Sequence, residues 1–289
     1  MQDLTGAFVE LYRRAATDLP ADVEHALRDA YNREEEGSPA QSVLGSILEN
    51  VSLARKQSTP VCQDTGTPIF YVYYPQGWST LQLRRQIEEA ARQATANAYL
   101  RPNAVDSLTG KNSGDNTGEE FPVIHFVEWE NDYLQADLML KGGGSENCGI
   151  QYKLPLNELQ AGRDLEGVRR VVLDAVYKAQ GQGCAPGILG VSIGGDRGTG
   201  YEVSKRQFFR QVGERSPVPQ LAELEQRILE EANSLGIGPM GFGGKTTVLD
   251  VQIDKAHRLP ASYFVTVSYM CWACRRHRMI VRGDEITYQ

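Results

Sequence analysis

The stretch VCQDTGTPIFYVYY, residues 61–74, divides the chain into two kinds of sequence. Up to about residue 57, apolar residues recur with a helical period, whereas PIFYVYY is a continuous apolar run typical of a strand. Between them, VCQDTG carries a thiol, an amide, a carboxylate and a hydroxyl on four consecutive residues, then a glycine that permits a sharp turn. We therefore predict a helical N-terminal part at about residues 1–57 and a strand-containing part at about residues 58–289.

The composition is that of an ordinary globular protein. Of its 289 residues, 41% are hydrophobic and 23% are charged, which argues against disordered and fibrous classes. The formal net charge of −7 argues against nonspecific nucleic-acid binding, because phosphate recognition needs a concentrated basic surface. The dense basic run RRHR, residues 275–278, is too short to change that conclusion.

The sequence also gives an expectation about the compartment. No apolar stretch approaches the roughly twenty residues that span a bilayer, and the N-terminus MQDLTGAFVELYRR lacks the core of a signal peptide. We therefore expect a cytoplasmic protein. Its five cysteines are an odd number scattered along the chain, so thiols or metal ligands are expected rather than a disulfide framework.

Helical and strand-like segments alternate along the rest of the chain. Apolar stripes predict helices at about residues 81–100, 165–180 and 220–234. The runs FPVIHFVEW and YLQADLMLK are predicted to form a hairpin across residues 130–132, and ILGVSI, TTVLDVQID and YFVTVSYM are further strand-like runs. We predict a single domain over residues 1–289 of the α+β (mixed α/β) class, with a helical N-terminal region followed by a mixed or antiparallel sheet and covering helices.

Three cysteines occupy similar places in this pattern. Cys62, Cys184 and Cys271 each lie at the end of a predicted element, among turn residues, which indicates a three-thiolate metal site. The alternative is that they are small buried apolar residues, as unpaired cysteines often are. Cys271 and Cys274 also form a CxxC pair, which alone is only half of a zinc site.

Glycine clusters are the second feature. They lie in KGGGSEN (residues 141–147), GILGVSIGGDRGTG (187–200) and GIGPMGFGGKTT (236–247), and none has the spacing of a phosphate-binding Walker loop. Each is either a set of tight turns or a loop whose backbone N–H groups approach an anionic ligand. The polar residues beside these turns would together suit a small dicarboxylate: Gln63, Asp64, Arg101, Lys141 and Lys245.

Taken together, these motifs resemble the class I, iron–sulfur-dependent fumarate hydratase family, and specifically its N-terminal or α-subunit part. The matching stretches are VCQDTG, LRPNAVDSLTGKNSGDNTG, KGGGSEN, GCAPGILGVSIGG, GIGPMGFGGKTTVLDV and YMCWACRR. They occur in order from about residue 60 to near the end of the chain. The α subunit of the related L-tartrate dehydratase shares the CQDTG and cysteine pattern.

The resemblance implies a [4Fe–4S] cluster held by Cys62, Cys184 and Cys271, with one open iron that acts as a Lewis acid on substrate. Cys148 and Cys274 fall outside the family's ligand positions. The family also has a histidine before the third cysteine; here Leu259 occupies the best-matched place and His257 lies two residues away.

The resemblance further implies where substrate binds. Its contacts fall on Gln63, Asp64, Arg101, Gly143 and Gly144, with Asp64 as the catalytic acid or base or its orienting partner. The family's C-terminal part has no counterpart before Gln289, so a separate β subunit is expected to complete the site. Alone, the chain is expected to be inactive, and it is expected to form a hetero-oligomer or an α-subunit dimer.

The implied reaction is the reversible hydration of fumarate to (S)-malate, a step of the tricarboxylic acid cycle. KGGGSEN and GFGGKTT resemble the fumarate branch more closely than the tartrate branch. The first alternative is an α subunit of a dehydratase for L-tartrate or another hydroxy-diacid. Alternatives of another class are a metal-binding assembly subunit that uses CWAC, and an interaction subunit whose cysteines are core residues.

Overall fold

A computed structural model describes residues 2–289. The α-helices are α1 (Thr5–Thr17), α2 (Ala21–Arg33), α3 (Pro39–Gln57), α4 (Thr80–Ala96), α5 (Gly143–Asn147), α6 (Leu165–Ala179), α7 (Arg197–Arg206) and α8 (Pro219–Ser234). The strands are β1 (Thr67–Pro75), β2 (Val123–Trp129), β3 (Leu134–Lys141), β4 (Ile150–Lys153), β5 (Gly187–Ile193), β6 (Val248–Lys255), β7 (Phe264–Met270), β8 (Arg276–Arg282) and β9 (Glu285–Tyr288). The strands form two separate sheets that helices cover, which confirms the α+β class.

Backbone contacts divide the chain into two compact units, each assembled from distant segments. The first unit takes the residues up to Pro20, Glu49–Gly143 and Ala273–Gln289, and the second takes Ala21–Leu48 and Gly144–Trp272. The expectation of a single domain over residues 1–289 stays a prediction. Within residues 2–289, no helix combines the length and the apolar character that a membrane span requires.

The first unit contains a five-stranded sheet in the order β2-β1-β3-β8-β9. Its apolar face is covered by α1 and α4, because each helix turns a stripe of apolar residues inward. Phe70 of β1 packs edge-on against Phe8 and Tyr12 of α1. The helices therefore bury one face of the sheet, and the sheet fixes the positions of the loops at its strand ends.

The predicted hairpin between residues 121–129 and 133–141 is wrong. Strand β1 lies between the two, so Tyr71 pairs in parallel with His125 of β2 and in antiparallel with Asp137 of β3. The physical reason is burial: residues 68–72 of β1 are all buried, whereas β2 is mostly half-exposed and suits an edge. Alternation along a strand identifies its faces but not its partner.

The second unit contains a four-stranded sheet in the order β4-β7-β5-β6. Leu189 and Val191 of β5 face a core shared with α6 and α8, at positions close to those predicted for the two helices. On the opposite face, Gly190 allows the last turn of α7 to approach, since a Cβ there would lie 2.1 Å from the Ser204 carbonyl oxygen. This packing fixes the start of β5 and the end of β7, beside which Cys184 and Cys271 lie.

Candidate active site

The VCQDTG loop joins α3 to β1, and its aspartate is the best-anchored side chain of the loop. Asp64 Oδ1 accepts a hydrogen bond from the Gly66 amide at 3.1 Å, and Oδ2 accepts one from the Gly143 amide at 2.8 Å. Two predicted site residues, Asp64 and Gly143, are thus brought together although they are 79 positions apart in the chain. The half-buried carboxylate has a fixed orientation.

Gly66 lets this loop approach the end of β3 closely. Its φ is +79°, and a Cβ would lie 2.7 Å from the carbonyl carbon of Lys141. Neither the backbone conformation nor the space suits a side chain. The preceding residue, Thr65, is buried, and its hydroxyl accepts hydrogen bonds from the Arg101 amide at 3.1 Å and from Asn103 Nδ2 at 2.9 Å.

Arg101 lies beside the loop and is exposed. Its Nη1 donates to the carbonyl oxygen of Gln63 at 3.1 Å. The Arg101 carbonyl in turn accepts from Asn116 Nδ2 at 2.7 Å, and Asn116 Oδ1 accepts from the Asn103 amide at 2.7 Å. The two asparagines of the LRPN and GDN motifs therefore hold Arg101 in place, a role that the sequence analysis missed.

Arg275 is a second residue whose role the sequence does not predict, because it falls in the short basic run of residues 275–278. Its side chain is 1% exposed, and Nη1 donates to the carbonyl oxygen of Asp64 at 2.6 Å. Nη2 lies 3.5 Å from where a Cβ on Gly142 would stand. Within residues 2–289, Nε has no hydrogen-bond partner. A buried cation thus supports the backbone that carries Asp64, and its place directly after Cys274 is the only signal in the sequence.

Cys184 and Cys271 lie on adjoining loops of the second unit. The Trp272 amide, next to Cys271, donates to the carbonyl oxygen of Cys184 at 3.2 Å. Cys184 has a φ of +56°, in the left-handed region that a residue with a Cβ adopts at a cost of about 1–2 kcal/mol. Such backbone strain concentrates at functional sites, where the surrounding structure holds it.

Tyr269 of β7 packs against the same loop. A Cβ on Gly183 would lie 2.4 Å from its ring, and a Cβ on Gly187 would lie 2.3 Å from it, so both glycines make room for the tyrosine. Burial, with smaller contributions from the thiols of Cys148, Cys271 and Cys184, raises the pKa of Tyr269 well above its usual range. Its hydroxyl therefore stays protonated at neutral pH.

The five cysteines are not joined in disulfides. Cys62 and Cys274 lie in the first unit, and Cys148, Cys184 and Cys271 lie in the second, where all three contribute to the raised pKa of Tyr269. Cys148, expected outside the ligand set, donates from Sγ to the Gly144 carbonyl oxygen at 3.4 Å. Residues 2–289 contain no group of three or more His, Cys, Asp or Glu side chains arranged to hold a metal ion. The three-cysteine site stays a prediction.

The other predicted positions are placed as follows. Gly144 follows Gly143 in α5, and a Cβ on it would lie 3.6 Å from the carbonyl oxygen of Gln182, an ordinary contact. His257 is an exposed residue after β6, and its carbonyl oxygen accepts from the Gly195 amide at 3.2 Å. A role of either position in binding or turning over a substrate stays a prediction.

The GFGGKTT loop already holds an anionic group of the protein itself. The carboxylate of Glu34, 6% exposed, accepts from the Lys245 amide at 2.9 Å and from the Thr246 amide at 2.9 Å. The backbone N–H groups of Lys245 and Thr246 are thus occupied by a carboxylate of the chain itself. The structure favours the interpretation of this motif as a packed turn.

Comparisons with known proteins bear on this arrangement. The family model for fumarate hydratase (Fumerase) matches residues 5–280. A Geobacillus stearothermophilus protein provisionally named as a class I fumarate hydratase is 50% identical over 280 residues, which cover 96% of this chain and 54% of that protein. This chain therefore spans about half the length of that relative.

Two further relatives are matched over most of their own length. A Methanocaldococcus jannaschii protein provisionally named as the α subunit of L(+)-tartrate dehydratase is 36% identical, over 94% of this chain and 95% of its own. The Escherichia coli K12 protein named as L(+)-tartrate dehydratase subunit alpha is 33% identical, over 93% of this chain and 88% of its own. The resemblance drawn from the six motifs is confirmed.

Proposed function

The chain belongs to the fumarate hydratase (Fumerase) family, and from this membership we propose that it is the α subunit of an iron–sulfur-dependent hydro-lyase. The proposed reaction is the reversible hydration of fumarate to (S)-malate in the cytoplasm. A separate β subunit would complete the active site. The two relatives whose names denote α subunits support this partner, since they match the chain over 95% and 88% of their length.

The observation that carries the proposal is the double anchoring of the Asp64 carboxylate by the amides of Gly66 and Gly143, at 3.1 and 2.8 Å. A group that transfers a proton must be held within hydrogen-bond reach of its substrate in a fixed orientation. Asp64 is the proposed catalytic acid or base, or the partner that orients that group. Arg275 is a positioning residue, because it holds the Asp64 carbonyl oxygen.

Gln63 and Arg101 are proposed to bind a substrate carboxylate. Arg101 uses one N–H on the Gln63 carbonyl, and the remaining N–H groups of the guanidinium suit the two oxygens of a carboxylate. The Gly143 amide already donates to Asp64, so its contribution is to orient that carboxylate. The Gly144 amide is the proposed donor of the glycine loop to substrate.

Cys62, Cys184 and Cys271 are proposed to hold a [4Fe–4S] cluster. The donor set fits such a group, because thiolates are the usual ligands of iron–sulfur clusters and these cysteines are not consumed in disulfides. Two further observations support the proposal, because they show that the cysteine loops are fixed in place: the strained backbone of Cys184, and the hydrogen bond between its loop and the loop of Cys271. When bound, the cluster supplies a Lewis acid at the iron that no side chain ligates.

Tartrate is the second candidate substrate, because two relatives carry that name. The identity of 50% to the protein named for fumarate hydratase, against 36% and 33% for the two named for tartrate dehydratase, favours fumarate. Both substrates are dicarboxylates with a C2 position that gains or loses a hydroxyl. The same side chains serve in either case.

The test is anaerobic reconstitution of the chain with iron and sulfide, with and without the β subunit, followed by an assay of fumarate loss and malate formation. L-Tartrate is assayed in parallel. The proposal predicts cluster absorption and turnover of fumarate in the complex, and no turnover by the chain alone. A complex that neither absorbs as a cluster nor turns over either substrate would overturn it.

Matched variants separate the roles of the named residues. Asp64→Asn is expected to lower kcat by about 10²-fold or more, the range for loss of a general acid or base, while the exposed Asp132→Asn leaves it unchanged. Cys62→Ser is expected to lose iron, whereas the buried Cys274→Ala keeps it. Equal iron content in the two cysteine variants would remove Cys62 from the ligand set.

A further inference from the structure

Tyr269 carries a buried hydroxyl group at the end of β7. The side chain is 2% exposed, and within residues 2–289 its hydroxyl has no hydrogen-bond partner. A buried hydroxyl without a partner destabilises a fold, because it has lost its hydrogen bonds to water. Phenylalanine would fill the same space without that cost, so the hydroxyl indicates a partner that is not part of the protein chain.

The surroundings of the hydroxyl define the chemistry of that partner. Gly183 and Gly187 leave no room for side chains beside the ring, and the position of a Cβ on Gly187 is 2.5 Å from the hydroxyl oxygen. Cys184 directly follows Gly183, and Cys271 lies two residues after Tyr269, so the loops that carry two of the proposed ligands meet at this ring. The sulfur atoms of an iron–sulfur cluster carry negative charge and accept hydrogen bonds, so a cluster held by these two loops has the chemistry of the partner.

The strand pairing holds the tyrosine in this position. Tyr269 of β7 pairs with Leu189 of β5, and Met270 pairs with Ile188, so the segment that leads to Cys271 runs beside the segment that follows Cys184. The hydrogen bond from the Trp272 amide to the Cys184 carbonyl closes the two loops on each other. A tyrosine locked between two cysteine loops has little freedom to turn its hydroxyl toward solvent.

We propose that the Tyr269 hydroxyl donates a hydrogen bond to an anionic sulfur of the iron–sulfur cluster bound by Cys184 and Cys271. Tyr269 is then a positioning residue for the cluster, and this inference rests on the proposed function. Hydrogen bonds to the sulfurs of a cluster help to set its reduction potential, and partners beyond the ligands strengthen metal retention. The donor stabilises the more negative, reduced cluster, so it raises the reduction potential.

The experiment compares the wild type, Tyr269→Phe and Tyr152→Phe, each as the full chain with its β subunit. Tyr152 is the matched control, because it is a buried tyrosine of the same unit whose hydroxyl has a protein partner, Asp174 Oδ2 at 2.6 Å. The measurements are the Tm without cluster, the iron and sulfide content after anaerobic reconstitution, and the reduction potential by a titration followed by electron paramagnetic resonance. The rate of cluster loss to a chelator is measured as well.

For Tyr269→Phe we expect a Tm without cluster equal to or above that of the wild type, because no hydrogen bond is lost. With cluster, we expect a lower reduction potential and a loss to chelator about tenfold faster, the effect of one hydrogen bond. Tyr152→Phe is expected to show the opposite pattern, a lower Tm without cluster and an unchanged potential.

Two results overturn the inference. One is a reduction potential of the cluster in Tyr269→Phe equal to that of the wild type. The other is a Tm of cluster-free Tyr269→Phe that falls as it does for Tyr152→Phe, since the Tyr269 hydroxyl would then have a protein partner. If the wild type itself takes up no cluster, the proposed function fails and this inference fails with it. A loaded wild type with an unchanged variant refutes the inference alone.

Discussion

The substitution Gly66→Ala tests whether close approach of the VCQDTG loop to β3 is what fixes Asp64. The new Cβ would lie 2.7, 2.8 and 2.9 Å from the carbonyl carbon, oxygen and amide nitrogen of Lys141, all of them backbone atoms that cannot rotate away. The left-handed conformation, with φ at +79°, costs an alanine about 1–2 kcal/mol. Overpacking adds about 1–3 kcal/mol. We therefore expect a loss of about 2–5 kcal/mol in the free energy of unfolding.

Gly77→Ala is the matched control. Gly77 lies in the same unit with φ at +84°, but a Cβ there would meet nothing within 4 Å. It incurs the same conformational cost and the same gain from a stiffer unfolded chain, so those two effects cancel in the comparison. Urea unfolding of both variants is expected to place Gly66→Ala about 1–3 kcal/mol below Gly77→Ala, the overpacking cost. Equal losses would refute the argument, because the contact with Lys141 would then cost nothing.

Three further predictions concern buried charges and one histidine. Arg275→Lys loses the hydrogen bond of 2.6 Å to the Asp64 carbonyl oxygen. We therefore expect kcat of the loaded complex to fall by about tenfold or more, with KM little changed. An unchanged kcat would contradict the positioning role of Arg275. Burial lowers the pKa of His277 below the ordinary 6.5, so the stabilising contribution of the neutral ring is complete above about pH 6.5 and lost as the pH falls below it. We expect the Tm of the wild type to fall more than that of His277→Gln between about pH 7.5 and 5.5, and equal slopes would refute this linkage. Glu34→Ala removes the carboxylate that accepts hydrogen bonds from the Lys245 and Thr246 amides, so we expect the free energy of unfolding, measured in urea, to fall by about 2–4 kcal/mol. For the exposed Glu35→Ala we expect a fall of about 0.5 kcal/mol or less.

The fold could be predicted from the sequence as far as local patterns determine it. The apolar stripes of α6 and α8 give helices within a residue or two of the observed bounds, because a 3.6-residue period is a property of one segment. The partner of a strand is not a local property. Strand β1 pairs on both sides with strands that follow it by some fifty residues or more, and only its degree of burial indicates that it belongs in the middle.

The sequence motifs predict candidate site residues but not the side chains that support them. The Gly143 amide lies within hydrogen-bond distance of Asp64, a contact between two residues of the motifs. Apart from its place directly after Cys274, no sequence feature indicates that Arg275 is buried, since a charge pattern gives the sign of a side chain and not its exposure. Likewise, a tyrosine at the end of an apolar strand is ordinary in sequence. Only the structure shows that the hydroxyl of Tyr269 is buried and finds no hydrogen-bond partner among residues 2–289.

The glycines around Asp64 are explained by close approach and not by flexibility. Oδ2 of Asp64 would be 3.0 Å from a Cβ on Gly142 and 3.9 Å from one on Gly143. A side chain at position 142 would therefore displace the carboxylate that the Gly143 amide holds at 2.8 Å. Because the Gly66 and Gly143 amides that donate to this carboxylate belong to the backbone, substitutions at these positions disturb the anchor by adding atoms where glycine leaves space. We therefore expect Gly142→Ala to lower kcat more than Gly143→Ala does. The reverse order would mean that the loop binds substrate directly instead of orienting Asp64.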